Sequence, residues 1–115
     1  MSKLFGIHTI ALRPGVKAED FEKFVKEELP LAAGYPSWKY HVLKGERGDR
    51  EGKYLAFFEI ESIEERDRFY PSPRVPSEEA KRFLEAHSET TKLFEKLDTL
   101  VGGLNLIVTD YVELD

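Results

Sequence analysis

Two β-prone runs, residues 38–43 (WKYHVL) and 54–60 (YLAFFEI), flank a polar stretch at 45–53 (GERGDREGK) that carries three glycines. Aromatic and branched residues favour strands, and a glycine-rich polar insert cannot join a core. The segment therefore reads as a β-hairpin with a long connection. Alternation along the two runs selects one register. With Gly45 opposite Lys53, Val42 faces Ala56, Tyr40 faces Phe58 and Trp38 faces Ile60, a wholly apolar face. The other face pairs Leu43 with Leu55, His41 with Phe57 and Lys39 with Glu59. Opposite charges across a strand pair are favourable, and a slip of one residue would mix the two faces.

The flanking segments supply what such a hairpin needs for burial. Residues 4–12 (LFGIHTIAL) read as a strand stopped by Arg13-Pro14-Gly15. From Ala18 the period changes: Phe21, Phe24, Val25 and Leu29 share a helical face with it, Glu19 and Asp20 suit the positive helix end, and Pro30 closes the helix. Residues 31–36 form a loop. Ser62 and Glu65 have capping-box spacing, which predicts a short helix over 63–70, broken by Pro71, Pro73 and Pro76. A longer helix is expected over 78–100, with Ala80, Phe83, Leu84, His87, Thr91 and Phe94 as its inward stripe and Leu97 close by. Gly102-Gly103 stops it, and residues 104–112 give a last strand.

The order β-α-β-β-α-β is that of a ferredoxin-like α+β fold: a four-stranded antiparallel sheet with its helices on one face. The length of 115 residues suits one domain over 1–115. Both sheet faces are substantially apolar and helices cover only one, so a partner is expected on the other. A two-fold homodimer is the commonest solution.

Composition narrows the chemistry. Without cysteine there is no disulfide, thiolate metal site or cysteine nucleophile; this fits a cytoplasmic protein. Net charge is −5 with both signs interspersed, so the basic stripe of a nucleic-acid binder is missing. The N-terminus shows no signal-peptide pattern, and apolar runs fall far short of the roughly 20 residues of a membrane span. No nucleic-acid or membrane partner is therefore expected.

Residues 6–16 (GIHTIALRPGV), followed by an acidic helix, resemble the first strand and helix of the stress-responsive A/B-barrel branch of the dimeric α/β-barrel superfamily. Residues 44–54 (KGERGDREGKY) and 64–71 (EERDRFYP) look more like an uncharacterised bacterial branch. The resemblance covers the whole chain and implies a dimeric α/β barrel. The superfamily includes cofactor-free quinone-forming monooxygenases, polyketide cyclases, lactone isomerases and haem enzymes. No complete catalytic signature of those groups is present, so the resemblance transfers no catalytic residue.

Candidate site residues follow from chemistry instead. His8, His41 and Glu59 are the acid–base candidates, because a carboxylate beside an imidazole raises its pKa and fixes its tautomer. The alternative is a Lys39–Glu59 cross-strand salt bridge beside an interface histidine. Trp38, Tyr40, Phe57 and Tyr70 can line a pocket for a flat, partly apolar small molecule, or simply pack as core. Arg66 can bind an acidic group on a ligand, or sit on a solvated helix face where Glu64 pairs with Arg68. His87, within an apolar stripe, is a ligand-contacting candidate; the resemblance adds a haem-ligating reading, which competes with ordinary hydrogen bonding at the stripe's edge. The three histidines lack the spacing of a metal motif. The resemblance thus implies a small-molecule-binding protein, with a cofactor-independent monooxygenase, cyclase or isomerase as the expected activity, and a non-catalytic binding dimer and a haem or metal protein as alternatives.

Overall fold

The computed structural model of the chain describes residues 2–73, 75–102 and 107–114. The hairpin forms in the register set by its alternation: Trp38 opposes Ile60, Tyr40 opposes Phe58, Val42 opposes Ala56, and on the reverse face His41 opposes Phe57 and Lys39 opposes Glu59. Its strands are β2 (Trp38–Lys44) and β3 (Tyr54–Ile60). Gly45 donates to the Lys53 carbonyl at 2.8 Å. A Cβ at Gly45 would lie 1.9 Å from the Arg50 carbonyl oxygen, so only glycine lets the connection fold back so closely.

Strand β1 (Leu4–Ile10) pairs antiparallel with β3 on one side and with β4 (Ile107–Val112) on the other. The sheet order is β2-β3-β1-β4, the ferredoxin-like arrangement. Helices α1 (Ala18–Glu27), α2 (Ile63–Phe69), α3 (Glu78–Ala86) and α4 (Ser88–Leu100) complete the fold. The core forms where α1 and α4 meet the sheet: Ile10, Phe21, Phe24, Leu29, Tyr54, Ala56, Leu97 and Val101 are buried together. Each large apolar side chain contributes about 2–3 kcal/mol by leaving water.

Several boundaries differ from the sequence expectation, each for a local reason. The first strand stops at Ile10. Residues beyond it turn to the end of α4, where Gly102 N–H donates to Ala11 O at 2.7 Å and Arg13 N–H to Leu100 O at 2.9 Å. Pro30 does not simply end α1; it sits in a 3-10 turn (Leu29–Leu31) beyond it. Helix α2 is capped by Ser62, whose Oγ accepts from Glu65 N–H at 3.2 Å. The Glu65 carboxylate does not return to the cap but accepts from Ser37 Oγ at 2.9 Å. Residues 103–106, which include Gly103 and the start of the expected last strand, lie outside the described residues.

The largest correction concerns the second long helix, which is two helices. In a continuous helix the Phe83 carbonyl would accept from the His87 backbone N–H. Instead the His87 ring Nδ1 bonds that carbonyl at 2.8 Å, and the His87 N–H turns to Leu84 O at 3.2 Å. The side chain has displaced the backbone donor. The chain restarts as α4 with Thr90 and Thr91 donating to His87 O.

Candidate functional site

The face of the sheet under the helices reads as rows across its strands. One row is Tyr40, Phe58, Gly6 and Asp110; the next is Trp38, Ile60, Leu4 and Val112. His8 follows Gly6 on the same face of β1. Three side chains therefore converge on Phe58. The His8 ring lies 4.8 Å from it, Tyr40 4.9 Å and Trp38 5.8 Å, centroid to centroid.

These three carry unused polar atoms. His8 Nδ1, Trp38 Nε1 and Tyr40 Oη are all buried and find no hydrogen-bond partner among the described residues. Each such group costs about 1–3 kcal/mol in a fold, and buried polar groups are otherwise nearly always paired.

An aromatic wall closes one side. Tyr35, from the loop before β2, stacks on Phe69 at 4.4 Å and packs against Phe83 at 4.9 Å and Trp38 at 5.2 Å. Its hydroxyl meets that of Tyr70 at 2.8 Å. Phe83 in turn stacks on His87 at 4.1 Å. A carbonyl only accepts, so the His87 Nδ1 that bonds Phe83 O carries the proton.

Charge enters from β4. Asp110 on β4 takes a 2.8 Å hydrogen bond from Arg66 Nη1 on α2. Burial pushes the His8 pKa down, and the negative charge of Asp110 opposes it; burial wins, so His8 is neutral near pH 7. Burial raises the Tyr40 hydroxyl to about 12, which keeps it a proton-bearing donor. Burial and the bond to Tyr70 raise Tyr35 as well.

The sequence-derived candidates separate into two groups. His8, Trp38, Tyr40 and Tyr70 share the helix face, with Arg66 reaching it through Asp110. His41, Phe57 and Glu59 lie on the reverse face, where Phe57 stacks on Phe5 at 5.7 Å and sits 5.9 Å from the His41 ring. The sheet thus keeps His41 and Glu59 apart from His8, and the three do not form one acid–base set. Arg68 reaches Glu65 and Glu79 instead of Glu64. His87 stands at the helix break, beyond Phe83. No group of three or more His, Asp or Glu placed to hold a metal ion occurs among the described residues. No helix among them is long and apolar enough to cross a membrane.

Sequence reasoning missed Tyr35, Phe83 and Asp110 as members of this candidate cluster. Tyr35 is a lone aromatic between Gly34 and Pro36, a residue type that a solvated loop rarely needs, and that was the available signal. Asp110 carried none, since its place beside Gly6 depends on β4 pairing with β1. Two surface grooves flank α1, one of about 300 Å³ lined by Glu19, Glu22, Lys23, Lys26 and Glu27, the other of about 170 Å³ between α1 and β2. The first is a solvated charged helix face. In the second Glu22 is satisfied by Lys44 at 2.8 Å and by Tyr54, so neither groove matches the unpaired cluster around Phe58.

No curated protein and no solved structure matches the chain significantly. Residues 5–102, from the first strand through the end of α4, match the model of the family described as REDY-like protein HapK. That segment holds His8, the whole hairpin, the aromatic wall and both halves of the broken helix, and on it the chain belongs to the REDY-like HapK family.

Proposed function

We propose that this protein binds a flat, partly apolar small molecule against Phe58 and moves a proton on it with His8, without a resident cofactor. The observation that carries the reading is the trio of buried, unpartnered atoms: His8 Nδ1, Trp38 Nε1 and Tyr40 Oη. An indole N–H only donates, and the raised Tyr40 hydroxyl keeps its proton, so both suit carbonyl or hydroxyl oxygens on a ligand. Neutral His8 suits the base of such a site. Tyr35, Tyr70 and Phe83 would grip the ligand's ring edge-on or by stacking.

Cyclisation and isomerisation need little beyond such a proton transfer. A cofactor-independent monooxygenase would begin with the same deprotonation and use dioxygen as oxidant. Binding without turnover is the second reading, favoured by the aromatic wall, which holds a flat ring without any acid–base group. A His8→Asn variant separates them: binding kept and turnover lost supports catalysis.

The open face of the sheet supports a homodimer. Phe5, Ile7, Leu55 and Phe57 stand half-buried there, Leu43 is 45% exposed and Tyr111 54% exposed. We place His41 and Glu59 with this assembly face.

Trp38 is the chain's single tryptophan, so its emission reports on the site directly. Titration with flat probes such as 2-naphthol and 8-anilinonaphthalene-1-sulfonate should change that emission saturably. The Tyr40→Phe variant should weaken the response to at least one probe, and His8→Asn should retain it. A linear, unsaturable response to every probe, together with native mass spectra free of any co-purified molecule, would sink the reading.

A further inference from the structure

Gly6 stands opposite Asp110 on β4 and opposite Phe58 on β3, all on the helix face. A Cβ at Gly6 would come within 3.2 Å of Asp110 Oδ1 and 3.5 Å of Phe58 Cβ. The missing side chain gives the carboxylate room to lie inward over β1. Its other oxygen, Oδ2, takes the 2.8 Å bond from Arg66, whose Nε also bonds Asp67 at 3.1 Å. His8 is two residues along β1 from Gly6 and so is the diagonal neighbour of Asp110, a placement within reach of a longer side chain. A sheet edge, a glycine and a helix arginine thus fix one negative charge beside the one histidine of the buried cluster. The family match ends at residue 102, so this contribution of β4 lies outside the matched segment.

We propose that Asp110, seated over Gly6 and clamped by Arg66, is the positioning residue whose charge, held beside His8, sets the readiness of that histidine to take a proton. The inference rests on the reading of His8 as the proton-transfer group. Asp110 touches no reacting atom in this account; it acts through the imidazole. Arg66 moderates it, since a carboxylate paired with a guanidinium stabilises a neighbouring imidazolium less than a bare one does. Among the described residues, the charge that acts on His8 is that of Asp110. β3 presents Phe58 and Ala56, β2 presents Tyr40, and the buried inward residues of α3 and α4 are Ala80, Thr90 and Leu97. His87 is held by the Phe83 carbonyl.

The test is an NMR titration of the three histidine rings in the intact, ligand-free protein, with assignments taken from single histidine variants. Asp110→Asn should lower the His8 pKa. Arg66→Gln should raise it, because the freed carboxylate then acts alone. Asp110→Glu should bring it back toward the parent value. His41, on the reverse face, should not move in any of them. A purely structural role predicts no such opposite signs, and shifts of the same sign in both variants, or none in either, overturn the proposal. Should Asp110→Asn lose the native spectrum, Gly6→Ala replaces it, since the new Cβ crowds the carboxylate away; His8 then moves down or the proposal fails. The titration uses no ligand, so its failure would leave the binding reading, tested on Trp38 emission, standing on its own result.

Discussion

Tyr35 and Tyr70 join hydroxyl to hydroxyl at 2.8 Å, tying the loop before β2 to the residue that ends α2. The Trp38 backbone N–H bonds the Tyr35 carbonyl at 3.0 Å, so the same clasp steadies the start of β2. Removing it with Tyr70→Phe should cost about 1 kcal/mol locally. Hydrogen exchange at the Trp38 amide should then quicken about fivefold while core amides stay unchanged. Equal exchange in both proteins would mean that the clasp holds nothing.

Tyr40→Phe should stabilise the free protein, which is unusual for a core substitution. It deletes a buried hydroxyl that has no partner among the described residues and keeps the ring against Phe58. A gain of up to about 1 kcal/mol in urea unfolding is expected, because the unpaired group costs that much or more. Probe binding should weaken in the same variant. A loss of stability would show that the hydroxyl is satisfied in solution.

His8 should make the fold acid-sensitive. Burial, only partly offset by Asp110, holds its folded pKa below the ordinary histidine value of 6.5. Below that value the unfolded chain binds more protons than the folded one, so stability falls as pH drops and levels off beneath the folded pKa. Unfolding by urea near pH 7 and near pH 5 should therefore show a larger drop in the parent than in His8→Phe. The same drop in both would remove His8 as its cause.

Phe57→Lys should dissociate the proposed dimer. Phe57 stacks on Phe5 in the middle of the open face, and a charge there cannot be desolvated without a partner. Native mass spectrometry should shift from twice 13.3 kDa to 13.3 kDa, with the Trp38 environment little altered. A parent protein already monomeric would end the sheet-to-sheet proposal.

The sheet was legible because alternation is a strong signal. The pairs Trp38–Ile60 and Lys39–Glu59 follow from which side chains tolerate facing each other, and the strands obey that rule. The break at His87 was not legible, because helical periodicity continues through it. What decides it is one imidazole taking the Phe83 carbonyl from the backbone, a competition between donors that pattern does not record. The candidate site was half legible. Trp38, Tyr40 and His8 stood out as residue types, but which face His8 took depended on the phase of β1 against β3. Asp110 depended on which strand became the neighbour of β1. Long-range adjacency of this kind is a property of topology, not of local sequence.

Phe57 and Phe58 are consecutive in the chain and identical in chemistry, yet one ring looks to the helices and the other away from them. A saturation scan along β3 should thus score in antiphase: even-numbered positions sensitive in a ligand assay, odd-numbered positions sensitive in an assembly assay. Changes that rewrite one property need not disturb the other, provided that they replace side chains in place. An insertion or deletion within β3 would exchange the two rings' surroundings and forfeit both properties at once.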